Sequence, residues 1–146
     1  MAELAVNATD NLSELRVFDN RIDGLLRTKG LVLRTVRADT LLQGRTHERY
    51  DQYVRGVRVF GGDLARQVRG GVTESIFGIV YDNVAIDTVP RLSETDAHTA
   101  FSSMSPNGWP ADRRIELVVL PKDDGQFALA WRTHATPTGR TRDTCL

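Results

Sequence analysis

The chain of 146 residues has one cysteine, two lysines (Lys29 and Lys122) and no net charge, with nineteen basic and nineteen acidic side chains. Cys145 alone makes no internal disulfide and leaves no cysteine pair for a structural zinc. One thiol does not identify a compartment. Zero net charge removes the simplest argument for nucleic acid or an anionic membrane as the main partner. No stretch approaches the roughly 20 apolar residues that a membrane span needs. Met1 to Asp10 carries Glu3, Asn7 and Asp10 but neither a basic head nor an apolar run, so it is not a secretory signal. The protein therefore stays inside the cell, or the sequence begins after a removed signal.

Apolar residues at 40% and charged residues at 26% are those of a globular chain, long enough for one domain or two small ones sharing a sheet. Leu12, Leu15, Phe18, Ile22, Leu25 and Leu26 recur at helical steps, which predicts an amphipathic helix over Asp10–Arg27. Asp10 is the expected cap and Gly30 the stop. Short β-runs follow: Leu31–Val36, Thr46–Val54, Val57–Phe60, Asp63–Val68 and Val72–Val80. Their tight turns, Arg55-Gly56 and Gly70-Gly71, cannot carry a parallel crossover, so the run is an antiparallel meander. Gly61-Gly62 suits a bulge or bend.

A second unit opens at Pro90. Ser93 and Asp96 form a capping-box pattern ahead of Ala97, Ala100, Phe101 and Met104, and Pro106-Asn107-Gly108 ends that helix. Arg114–Leu120 and Phe127–Thr133 flank Asp123-Asp124-Gly125 as a hairpin. The expected divisions are 1–89, 90–135 and an irregular tail, 136–146.

Catalytic patterns are missing. His47-Glu48 begins like a zinc-protease helix, but position 51 is Asp51 and the segment alternates like a strand. His47, His98 and His134 fall in separate elements. Gly56–Asp63 has the glycine spacing of a phosphate loop, with Gly62 and Asp63 where Lys and a hydroxyl belong. No serine sits in a Gly-x-Ser-x-Gly elbow. No catalytic, metal or cofactor-binding residue is nominated. One local bias stands out: Arg34, Arg37, Arg45, Arg49, Arg55, Arg58, Arg66 and Arg69 face only Asp39, Glu48, Asp51 and Asp63. Such a sheet face suits an acidic partner, or is simply solvated.

Arg49, Tyr50, Gln52, Gly56, Val59, Phe60, Gly61 and Gly62 match, in order and spacing, the signature of the fungalysin/thermolysin propeptide (FTP) domain. Arg58 departs from it, standing where that family usually has Pro. The segment from Pro90-Arg91-Leu92-Ser93 to Leu129-Ala130-Trp131 resembles part of the adjoining PepSY-type segment. The resemblance implies an α+β, cystatin-like fold, with the N-terminal helix against the meander, then a short helix and a hairpin. It further implies a propeptide that assists folding of a secreted thermolysin-type zinc protease and blocks its cleft. The partner would be that protease domain, in cis in a precursor or in trans, with no membrane and no nucleic acid involved. The alternative is a non-proteolytic module using the Arg-rich face.

Overall fold

The structure is a computed structural model that describes residues 2–7, 11–104, 113–135 and 142–145. Two compact units divide the chain at Val84/Ala85. The first contains strand β1 (Ala2–Asn7), helix α1 (Leu12–Arg27), and strands β2 (Leu31–Ala38), β3 (Arg45–Val54), β4 (Val57–Arg69) and β5 (Val72–Val80). Its strands lie in the order β1-β5-β4-β3-β2, every pairing antiparallel. The expected α+β arrangement of helix and antiparallel sheet is present. The first strand is an addition, since nothing in Met1–Asp10 alternates clearly enough to reveal it.

Helix α1 is capped by Asn11, whose Oδ1 accepts from the Glu14 N–H at 3.1 Å; Asp10, the expected cap, lies outside the described residues. At the other end Gly30 is not the left-handed residue. Lys29 takes that conformation at φ 59°, and the Lys29 and Gly30 N–H groups close back on the Leu26 and Leu25 carbonyls. This is a Schellman ending with lysine in the place glycine usually fills. Leu15 and Ile22 of α1 are fully buried against Leu31, Tyr50, Leu64, Ile76 and Val80, with Phe18, Leu25 and Leu26 closing the margin. Each fully buried aliphatic side chain contributes roughly 2 kcal/mol.

Both two-residue turns have left-handed φ at each position, 48° and 82° at Arg55-Gly56 and 58° and 80° at Gly70-Gly71. That geometry matches the strand twist of a tight hairpin. Gly61 (φ 75°) lies where the β3–β4 pairing is interrupted: Asp51 faces Asp63 and Tyr53 faces Arg58, so Gln52 stands opposite Val59–Gly62. On β2 a bulge at Arg34 separates the Leu33–Tyr50 and Thr35–Arg49 pairs.

The second unit holds α2 (Glu94–Ser103) and strands β6 (Ile115–Pro121), β7 (Phe127–Ala135) and β8 (Arg142–Cys145), paired antiparallel in that order. The capping box is formed by Ser93 and Asp96. Gly125, at φ 78°, turns the hairpin. The expected irregular tail is corrected at Arg142–Cys145, which pairs with Arg132–Ala135 of β7. A four-residue polar strand has too little alternation to be read as one. Residues 136–141 and the Pro106-Asn107-Gly108 stop lie outside the described residues.

Candidate interaction surface

The motif residues divide between scaffold and surface. Gln52, only 4% exposed, uses both ends of its amide on one residue: Nε2 donates to the Tyr81 carbonyl and Oε1 accepts from the Tyr81 N–H, each at 2.8 Å. Gly62 packs directly on that side chain, and a Cβ there would lie 2.8 Å from Gln52 Oε1 and 2.9 Å from its Cβ. Val59 is fully buried and Phe60 half-buried. Gly56 needs its left-handed turn conformation but has open space around it. Gly78, beyond the quoted signature, has φ 140° and would place a Cβ 2.2 Å from the Asp63 carbonyl oxygen. Periodicity gives no hint of that contact, because it depends on how β4 and β5 approach each other.

Tyr50 joins a partly buried polar network that sequence reasoning did not find. Arg66, 14% exposed, donates from Nε to Glu48 at 2.9 Å, from Nη2 to the Tyr50 hydroxyl at 3.0 Å, and from Nη1 to Asp19 and Asp23 at 3.2 and 3.3 Å. The Tyr50 hydroxyl donates to Glu48, and Thr73 donates to Asp19 at 2.7 Å. Burial, followed by the bond to Glu48, pushes the Tyr50 pKa up to about 12, with Arg66 opposing. Burial works against the Arg66 charge, but the bond to Glu48 and the charges of Tyr50 and Glu48 outweigh it and raise its pKa. The pairing is between helix and sheet, from residues 43 to 54 apart in sequence, so no local pattern reports it.

The opposite face of the sheet carries most of the arginines. Asp39, in the β2–β3 connection, accepts from the Leu41 and Leu42 N–H groups at 2.8 and 2.9 Å, from Arg45 Nε at 2.6 Å and from His47 Nε2 at 2.8 Å. The backbone donors Leu42 and Leu41, then His47 and Arg45, hold its carboxyl well below the usual range. His47 Nδ1 lies 3.4 Å from Gln67 Nε2. Arg34 pairs with Asp51 at 2.8 Å, Arg49 with Asp63 at 3.6 Å and Arg69 with Glu74 at 3.9 Å. Much of the apparent local excess of positive charge is thus internally neutralised.

His47 lies on β3, His98 on α2 and His134 on β7. Among the described residues no group of three His, Cys, Asp or Glu side chains is placed to hold a metal ion. Among the same residues no helix is long and apolar enough to cross a membrane.

No curated protein matches the chain. A solved structure, the Bacillus megaterium YpeB C-terminal domain, is similar at 14% identity with a TM-score of 0.47, covering 93% of this chain and 60% of that one. The model of the Fungalysin/Thermolysin Propeptide Motif matches residues 29–78, from the end of α1 through β2, β3 and β4 into β5. The resemblance carried by Arg49–Gly62 is borne out: that stretch lies within residues 29–78, which match the fungalysin/thermolysin propeptide motif.

Proposed function

We propose that this chain is a propeptide-like module that assists folding of a thermolysin-type metallopeptidase and blocks its cleft, in cis within a precursor or in trans. The match over residues 29–78 carries this reading. An extracellular setting and a non-catalytic role follow from the same reading. Gln52, Val59 and Gly62 act as scaffold in it, leaving engagement to exposed backbone edges and surface side chains. Contact through a sheet edge and an adjoining loop would need about 800 Å² from this partner.

The test is titration of the full chain into a thermolysin-type protease while peptide hydrolysis is followed, beside refolding of the denatured protease with and without the chain. Inhibition that is reversible and survives Cys145→Ser, with a raised refolding yield, is the expected result. Unchanged hydrolysis together with unchanged refolding overturns the reading. The alternative, an Arg-rich face for an acidic partner, loses support from the ion pairs of Arg34, Arg45, Arg49 and Arg69. What remains of it is a small region around Arg37.

A further inference from the structure

Strand β2 pairs with β3 along one side and with no other strand among the described residues. Its free side is not a featureless edge. Val32, Leu33 and Val36 are 44%, 48% and 51% exposed, three apolar side chains each left about half uncovered. Immediately behind the edge, Arg34, Thr35 and Arg37 of β2 and His47 and Arg49 of β3 line a cleft of about 200 Å³. No carboxylate contributes to its walls. The nearby acids are already committed, Asp51 to Arg34, Asp39 to Arg45 and His47, and Asp63 to Arg49. Among the described residues none lies within ion-pair distance of Arg37.

An unpaired strand edge invites another strand, and edge charges decide which one. A second copy is disfavoured here, because two β2 edges laid together would set Arg34 and Arg37 against the same arginines. An acidic strand meets the opposite condition. Its main chain can pair with β2, while one carboxylate side chain reaches over the edge into a cleft that offers guanidinium groups and the Thr35 hydroxyl. The cleft has room for an Asp or Glu side chain, and a second hollow of about 440 Å³ that shares Arg37, His47 and Arg49 with it continues toward Asp39.

We propose that the β2 edge binds an extended acidic peptide segment, adding it to the sheet as a further strand and holding one of its carboxylates between Arg37 and Arg49. This does not depend on protease inhibition, since the edge and the cleft are properties of this chain alone.

The experiment uses the full chain and fluorescein-labelled peptides alternating Val with Glu, Val with Lys, and Val with N-methylated Glu. The Glu peptide is expected to bind and to protect β2 amides from hydrogen exchange, the other two to bind weakly. Arg37→Gln should weaken the Glu peptide by about fivefold, the scale of a partly exposed ion pair. Arg37→Glu should shift preference toward the Lys peptide. Melting curves confirm that both variants are folded. Equal binding of Glu and Lys peptides overturns the proposal, as does unchanged affinity in both Arg37 variants. Binding of the N-methylated peptide as tightly as the Glu peptide overturns the strand-pairing part, as does its equal displacement by inorganic phosphate at the same concentration. Protease inhibition measured in parallel separates failure of this site from failure of the propeptide reading.

Discussion

Gln52 serves Tyr81 as a neighbouring strand would, with one side-chain amide taking the place of a peptide group and saturating both main-chain polar atoms. The motif glutamine therefore extends the sheet past the end of β5. Gln52→Ala removes both bonds inside a buried site and is expected to cost about 2 kcal/mol, read from urea denaturation. Gln52→Glu should be no better, because its carboxylate would face the Tyr81 carbonyl where an N–H donor stood.

The glycines should rank by what surrounds them. Gly78→Ala is expected to be the most disruptive, since its Cβ would overlap the Asp63 main chain. Gly62→Ala should come next, and in combination with Gln52→Ala it should recover only part of its single cost, because the 2.8 Å contact with Oε1 is removed while the Cβ at 2.9 Å remains. Gly56→Ala meets only the cost of a left-handed residue, about 1–2 kcal/mol. Melting temperatures of the three single variants and the double variant check the order.

Removing Arg66 leaves Glu48 and Asp19 partly buried without their cation. Arg66→Met is expected to destabilise the first unit by about 3 kcal/mol. Arg66→Lys should recover only part of this, because an ammonium cannot present guanidinium's fork of donors to Glu48, Tyr50 and Asp19 together.

Tyr50 has its pKa pushed up to about 12 from an ordinary value of 10. The folded chain thus holds this proton more tightly than the unfolded chain does. The associated stability is fully present below pH 10 and is lost as pH rises from 10 through 12. Denaturation midpoints of wild type and Tyr50→Phe across that window should show a steeper alkaline loss in the wild type.

Asp39 has the opposite sign. Its carboxyl is held below the ordinary range, so its contribution is present above the ordinary value of 3.8 and declines as pH falls below it. Asp39→Ala, which removes the acceptor that Asn would keep, should raise hydrogen-exchange rates at the Leu41 and Leu42 amides at neutral pH, the two groups its Oδ1 accepts from. Unchanged rates there would count against this carboxylate as the organiser of the β2–β3 connection.

The sequence was most legible where geometry is local. The helix stripe, the turns at Arg55-Gly56 and Gly70-Gly71, and the Ser93–Asp96 capping box each depend on residues a few positions apart. Strand β8 and the Lys29 helix ending were not legible, since a short polar strand and a non-glycine left-handed residue both run against composition. The arginines of the meander were visible as a bias but not as a surface, because whether each meets a carboxylate depends on strand register. The Arg66 network and the Gly78 contact are long-range facts and leave no spacing to read.

The Arg66 network also settles where α1 sits along its own axis. Phe18, Ile22 and Leu26 follow one another at four-residue steps, so a slide of one turn, about 5.4 Å, would put an apolar side chain in place of an apolar side chain. Elsewhere the apolar face opposes the slide, since Asp19 or Asn11 would take the buried place of Leu15. Asp19 and Asp23 occupy consecutive turns in the same way, but what lies beyond them differs. Sliding in one direction brings Arg27 to the position of Asp23, cation against Arg66; sliding in the other brings Leu15 to the position of Asp19, leaving Thr73 without its acceptor and Arg66 with one helix carboxylate fewer. Two carboxylates bounded by a leucine and an arginine thus work as a ruler with one legible mark, and the helix has a single address on the sheet.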